Sequence, residues 1–486
     1  MAKITTIITF LLIGLIICGQ NSFELRIQMP NFEVPGDLII DDQGNYVIAG
    51  ASLDVNTNVY SGILLKVSAS GELVTNVTYS FPDSTCLFSD IIKLERNYLV
   101  FGGIGPISSG LTSIMICSFD FDLNFQWRKC YSISDIHVLG DFNTKIDLDS
   151  NIVVLGSALN EFKNFDADPF EFRCNQQGDS ILMAVETIDY PQLVFDFLIK
   201  PDSSGYISFG EGNYPSYPSY HTCGAYYNRS FIREQVVEVP DERFHSSHTV
   251  RWISDHEFFI SGKKIISVNY SSVQGAGLKK MDTSFSILNE VDFAHIPDTI
   301  CYPGWDRNFD YLDINNILFT WTKNYDDWFQ SMPSWIVLTK FDSSLNTIYE
   351  RHFGGDVMYS SYQINATDDG GCIISGIRYD YNIPGYDYDL YLIKTDENGL
   401  VTSINEEREI NDVNILVSPN PCTNKIAFNN DLSLIKIFNQ SGQMVLSYEN
   451  YSNLNSINVG HFEPGIYFYR VLDADGCHST GKIIKL

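Results

Sequence analysis

An all-β protein is what these 486 residues predict: a seven-bladed β-propeller followed by a small antiparallel β-sandwich of immunoglobulin-like kind. Three observations carry that reading. A turn followed by an apolar strand recurs seven times, helical periodicity is almost absent between the copies, and residues 413–486 change to a different pattern of strands and turns.

The repeat is clearest in Gly44-Asn45-Tyr46-Val47-Ile48-Ala49-Gly50 and in Gly370-Gly371-Cys372-Ile373-Ile374-Ser375-Gly376. The seven copies begin at positions 44, 96, 150, 204, 256, 315 and 370, a period of roughly 52 to 59 residues. A second apolar strand follows each copy, as in Leu390-Tyr391-Leu392-Ile393-Lys394-Thr395, and then a more polar third, as in Gln126-Trp127-Arg128-Lys129-Cys130-Tyr131. A fourth, such as Asp90-Ile91-Ile92-Lys93-Leu94, leads into the next copy. Four short β-branched and aromatic strands per period make one propeller blade, whereas a row of β-sandwiches would need about 100 residues per unit. Residues 20–402 therefore form the propeller. Phe23 to Met29 has the pattern of an outermost strand without a blade of its own, so it is expected to pair with Leu390 to Thr395 and close the ring on the seventh blade.

Net charge is −29, from 60 acidic against 31 basic residues, which excludes the basic footprint that nucleic acid or an anionic membrane surface requires. At the N-terminus, Lys3 precedes an apolar run from Ile7 to Ile17 that is too short to span a bilayer, so residues 1–19 read as a cleaved signal peptide. Cys18 follows Ile17 instead of the small residue that a lipid-attachment site wants. No other stretch reaches membrane-spanning length. Nine further cysteines are neither a disulfide framework nor, lacking C-x-x-C, a zinc ribbon, and most are expected to act as small buried hydrophobes.

The acidic stretch 403–412 reads as a linker. Beyond it come Pro419-Asn420-Pro421, a strand and turn ending at Gly442, Pro464-Gly465-Ile466-Tyr467, and a final strand that carries Lys482 and Lys485. These four blocks, in this order, resemble the type A C-terminal sorting domain of the type IX secretion system. The resemblance implies Sec export, passage through the outer-membrane translocon with the secretion machinery as partner, and a body released or held at the cell surface. Cys422 and Cys477 are not part of that pattern; they form a disulfide or stand as independent core residues. The repeats, for their part, resemble a large class of propellers in exported bacterial proteins that read Asp-x-Gly-Gly-Tyr-x-x-x-Gly and then Leu-x-Lys-x-Asp-x-x-Gly. Asp369 to Gly399 is the nearest match, and the resemblance implies fold more than activity.

For chemistry the sequence offers little. His245-x-x-His248 lacks an obvious third ligand, and no nucleophile elbow or zinc-protease motif is present. Asp166 and Asp168 with Glu171, and Asp387 with Asp389, are the oxygen-rich candidates for Ca²⁺; no other cofactor is implied. Aromatic residues crowd the insertions that follow the signature strands: Phe162, Phe165, Phe170 and Phe172 in blade three, Tyr214, Tyr217 and Tyr220 in blade four, Tyr325, Trp328 and Phe329 in blade six, and Tyr379, Tyr381, Tyr386 and Tyr388 in blade seven. Such rings stack on sugars or partner surfaces, or else stiffen long loops by packing on one another. The expectation is a non-enzymatic module that binds a polysaccharide or a protein through this face. A polymer-degrading hydrolase or lyase with its site in the funnel, and a structural spacer, are the competing readings.

Overall fold

A computed structural model describes residues 22–29, 31–132, 136–160, 166–187, 192–212, 221–241, 243–268, 271–293, 300–325, 332–383, 388–407, 417–439, 444–473 and 478–486. The signal segment 1–19 lies outside these, as do Tyr214, Tyr217, Tyr220, Trp328, Phe329, Tyr386, Asp387, Gly442 and Cys477. The chain divides into two compact units, 1–408 and 409–486. Strands are the only regular element among the described residues, and no helix there is long and apolar enough to cross a membrane.

Seven sheets, antiparallel but for one edge strand of the seventh, make up the first unit. Blade one contains Phe32–Ile40, Tyr46–Asp54, Val59–Val67 and Leu73–Tyr79, in that order from the axis outward. Blades two to five repeat this order over 84–131, 136–185, 192–238 and 244–293. The strand read from sequence as leading into each signature is thus the innermost strand of the same blade. Signature strands are buried on both faces, which is why they are nearly unbroken apolar runs; outer strands alternate and face water on one side. Seven apolar clusters fill the seven interfaces between neighbouring blades, the last joining Phe23, Leu25, Ile27 and Leu390 to Leu38, Ile48 and Leu65.

The turn before each outer strand has one geometry. In every blade a Ser, Asp or Asn opens it (Ser68, Asp120, Asn175, Asn228, Asp282, Asp342, Asp396), and its side-chain oxygen accepts backbone N–H groups further along the turn. The fourth residue is left-handed: Gly71, Gly178 and Gly399 in blades one, three and seven, but Leu123, Phe231, Phe285 and Leu345 elsewhere. Those four side chains are buried between blades, so packing offsets the backbone strain that glycine would avoid.

Ring closure follows the expected register. Phe23–Ile27 pairs antiparallel with Tyr388–Thr395, Phe23 opposite Lys394 and Ile27 opposite Leu390. Ser403–Glu407, read as the start of a linker, is a strand that pairs in parallel outside Phe23–Ile27. Its backbone covers the closing strand's open edge, and Ser22 and Thr402 fasten the two ends through their hydroxyls at 2.9 Å. The polar composition of 403–407 belongs to an edge strand, where charge discourages further pairing.

In the second unit, Lys425–Asn439 is the central strand, between Met444–Asn458 and Gly465–Asp473, with His478–Lys485 beyond. Its register breaks between Ala427 and Leu434 bend it, and Ile426, Phe428, Ile435 and Ile437 from both halves enter one core with Phe462, Tyr467 and Ile483.

Candidate functional site at the blocked axial channel

Six of the innermost strands carry a polar residue opposite the position before the signature's terminal glycine: Asp37, Asp90, Asn143, Asp196, Thr249 and Gln363. In blade six Asn308 takes the corresponding place, its carbonyl accepting from Thr320 N–H. A one-residue register shift at this point in the blades carrying Asp37, Asp90, Asp196, Thr249 and Gln363 re-aims the side chain toward the axis. There it accepts a backbone N–H from the next blade: Asp37 from Ile91 at 3.1 Å, Asp90 from Thr144 at 2.6 Å, Asp196 from Val250 at 2.8 Å, Thr249 from Asn308 at 2.8 Å and Gln363 from Leu38 at 2.8 Å. A hydrogen-bonded hoop thus binds neighbouring blades at the axis.

Blade six breaks the pattern. Its innermost strand is interrupted between Cys301–Pro303 and Phe309–Asp310, and residues 304–308 leave the sheet. The segment is held by blade seven instead: Trp305 N–H donates to Ser361 O, Asp306 N–H to Tyr362 O, and Ile364 N–H to Arg307 O. Gly304 permits the departure, since a Cβ there would lie 2.9 Å from both Tyr362 O and Asn308 Cβ. Arg307, at a φ of 26°, accepts a sparsely populated backbone conformation. Its guanidinium reaches across the channel to Asp37 at 2.8 Å and to both oxygens of Asp90 at 3.0 Å, and Gln363 Nε2 donates to the same Asp37 oxygen at 2.8 Å. Arg307 thus ties blade six to blades one and two, and Gln363 brings blade seven to the same Asp37 oxygen.

The channel is thereby cut in two. On Arg307's side lies a cavity of about 560 Å³, lined by Lys145, Asp196, Arg251, Trp252, Phe309 and Asp310 among others. On Asp306's side a cavity of about 440 Å³ opens among Phe195, Glu211, Lys263, Tyr302, Trp305 and Tyr362. The two share no lining residue.

The second cavity has the features of a recognition site. Trp305 is 38% exposed, its ring centroid 4.9 Å from that of Tyr302 and 6.2 Å from that of Tyr362, and its indole N–H donates to Ser360 Oγ. Asn143, buried at the wall, donates to Phe195 O at 2.6 Å, while its Oδ1 has no hydrogen-bond partner; nor has Ser89 Oγ beside it. Burial pushes the Asp306 carboxyl up to about 7, against the pull of Arg307. Burial likewise raises Asp90, with Arg307 opposing and Asp37 adding to the rise. His248 is held down, to about 4, by burial. Its Nδ1 lies 3.0 Å from Trp305 O, which can only accept, so Nδ1 bears the proton and Nε2 accepts from Ser246 Oγ at 3.2 Å. Both nitrogens are engaged. His248 therefore positions the Trp305 backbone and does not serve as the metal ligand considered from sequence.

The sequence-predicted aromatics fall differently. Tyr325, Tyr379, Tyr381 and Tyr388 do come together, in one cluster with Tyr302, Tyr362 and Phe32. Tyr388 is buried at 1%, with Phe32 edge-on at 3.9 Å and Tyr379 stacked at 4.8 Å; Tyr325 is buried at 6% against Tyr302 at 5.1 Å. Neither offers a face to a ligand, and Phe170 and Phe172 lie in the core between blades two and three. These side chains buttress the cavity wall. Of the cation candidates, Asp389 is buried in an ion pair with Arg26 at 2.5 Å, and Glu171, raised to about 7 by burial, pairs with Arg173. Asp168 is buried on the Asp166–Cys174 strand. No group of three or more His, Cys, Asp or Glu converges among the described residues. Trp305, Asp306 and Arg307 escaped the sequence reading because they sit in what looked like a lead-in strand. The only trace was the interval from 256 to 315, the longest of the six.

In the second unit the motif residues lock the C-terminus. The Asn420 carboxamide donates to Lys482 O at 2.6 Å and accepts from Ile484 N–H at 2.8 Å, between Pro419 and Pro421, both in cis linkage. Cys422 then pairs in parallel with Lys485. The Tyr467 hydroxyl donates to Glu463 O, closing the turn through Pro464 and Gly465, while Lys482 is exposed and Lys485 buried. Residues 416–486 match the family described as secretion system C-terminal sorting domain. The second unit is such a sorting domain. The protein is accordingly a type IX substrate, delivered to the cell surface or released. No curated protein sequence matches the chain. Among solved structures, a Dyadobacter fermentans protein of unknown function covers 76% of this chain and 98% of its own, at 9% identity and a TM-score of 0.41. The propeller domain of the Trilobed protease of Pyrococcus furiosus covers 75% and 95%, at 8% and 0.43. A Fusarium graminearum α-L-arabinofuranosidase covers 77% and 97%, at 9% and 0.37. Similarity at this level speaks of neither ligand nor activity.

Proposed function

We propose that the exported propeller is a binding module for a glycan, taken up in the aromatic cavity on the Asp306 side of the channel. One observation carries the reading: blade six abandons its innermost strand to present Trp305, flanked by Tyr302 and Tyr362, in a cavity whose wall also includes Asn143 and Ser89. Aromatic faces stack on sugar C–H surfaces, and carboxylates, amides and hydroxyls at the rim satisfy sugar hydroxyls. A regular blade would have buried this segment, so the departure answers to function more readily than to stability.

A second reading has its own support. A carboxyl poised at about 7 in an aromatic pocket has the pKa of a proton donor, which would make the cavity the site of a hydrolase or lyase.

Screening the secreted protein and Trp305→Ala on a glycan array tests the first reading. The substitution is expected to weaken binding by at least about tenfold, and Trp305→Phe to retain most of it. A full array without a ligand, or equal binding by Trp305→Ala, would overturn the proposal. Appearance of new chain ends when a bound glycan is incubated with the protein would move the reading to the enzyme.

A further inference from the structure

The geometry points to recognition of a glycan's terminus, not of its interior: the cavity is a blind pocket that one chain end enters. This inference rests on the glycan reading above and specifies which part of the polymer is bound.

The floor of the cavity decides this. An open propeller axis would let a polymer thread or lie across it, but here segment 304–308 turns out of its blade and the Arg307 side chain ties blade six to blades one and two. The anchor is stiff. Arg307 donates to two buried carboxylates, Asp37 is also held by Gln363, and both carboxylates accept backbone N–H groups of the next blade. Moving the guanidinium aside would leave those carboxylates buried without their countercharge, a strongly unfavourable state. The plug is therefore a fixed part of the fold. No lining residue is common to the cavities above and below it.

The volume fits the same reading. About 440 Å³ lies toward the small end of ligand sites, roughly 300–1,000 Å³, room for one or two sugar rings and not for a run of polymer. The walls are rigid as well: His248 uses both ring nitrogens to hold Ser246 and the Trp305 carbonyl, and its ring stacks on Phe195 at 5.6 Å. Asn143 and Ser89, on the blades opposite Trp305's own, line the far wall of the cavity, and Asn143 Oδ1 and Ser89 Oγ lie buried within that wall without hydrogen-bond partners. A terminal residue has more free hydroxyl groups than an internal one, which is what such a wall can use.

Titration of the full secreted protein with neutral oligosaccharide ladders tests the inference, using cello-, laminari-, xylo-, malto- and chito-oligosaccharides of two to six units and their parent polymers, each also with a reduced end and, for the 1,4-linked hexose ladders, with a 4,6-benzylidene cap on the other end. Terminal recognition predicts an affinity per chain that levels off after about two units, parent polymers no tighter per chain than short oligomers, and at least tenfold loss on modifying one of the two ends. Affinity that rises steadily with length and ignores both end modifications would overturn terminal recognition while leaving a glycan module in place. Absence of binding to every ladder would overturn both this inference and the reading beneath it.

Discussion

Asp306 and Arg307 are neighbours in sequence yet face different cavities, and their electrostatics differ accordingly. Burial works against the charge on Arg307, but the carboxylates of Asp37 and Asp90 that it pairs with outweigh burial and hold its proton firmly. Asp306 has its backbone committed to blade seven, and burial of its carboxyl, opposed by Arg307 and reinforced by the charges of Asp37 and Asp196, favours the protonated form up to about pH 7. In the unfolded chain an aspartate loses its proton near 4. Between about 4 and 7 the folded state therefore holds a proton that the unfolded state has released, and stability falls as pH rises through that window. Asp306→Asn keeps the acceptor for the Arg307 N–H, which Asp306 Oδ1 now supplies at 2.9 Å, and removes the ionisation. The variant should match the wild type near pH 4 and exceed it by about 2 kcal/mol near pH 7.5, allowing for partial solvent access. Denaturant titrations at the two pH values measure the difference. Parallel profiles would mean that Asp306 ionises as in water.

At the scale of elements, legibility followed burial on both faces. Signature strands such as Tyr98–Pro106 have no solvent side, so their apolar runs mark the repeat in every blade, and the closing strand's match with Leu390 to Thr395 could be read from the same pattern. Turns were legible where glycine holds the left-handed position, as at Gly71 and Gly399. They faded where Phe231 and Phe285 occupy it, because there packing against the next blade overrides turn chemistry. Ser403–Glu407 could not be read, since an edge strand against one neighbour needs no apolar face. The closing strand itself carries a large share of the fold. Phe23, Leu25, Ile27 and Met29 are all buried, at roughly 1.5–3 kcal/mol each, so the four together contribute about 6–12 kcal/mol, comparable with the whole net stability of a domain. Their loss would also strand Ser403–Glu407 and uncover Asp389 beneath Arg26. A chain lacking residues 22–29 should accordingly lose its cooperative thermal transition and be cut rapidly by protease, whereas Leu25→Ala should stay folded but lose about 2–5 kcal/mol. A deletion variant that melts like the wild type would contradict closure by this strand.

For the molecule as a whole, the separation of cores decides what each part can do alone. Cys422, Ile426, Ile437 and Ile483 pack with one another inside 409–486, and the seven interblade clusters lie within the first unit. Neither core needs a residue from the other unit, so removing one should leave the other's burial intact. The propeller's latch is likewise complete by Glu407, before the boundary between the units. Deleting residues 409–486 should therefore yield a body with an unchanged melting transition and unchanged ligand binding, but without the match to the sorting family that begins at 416. Expressed in cells with a functional type IX translocon, that body should accumulate in the periplasm as a soluble, protease-resistant species, while the full chain reaches the surface or the medium. Cell fractionation with a periplasmic marker reads the outcome directly. A truncated body found outside the cell would show that the address lies in the propeller. A truncated body that is degraded in the periplasm would instead show that the tail supports folding, and a melting curve on the purified fragment would tell whether its stability had fallen.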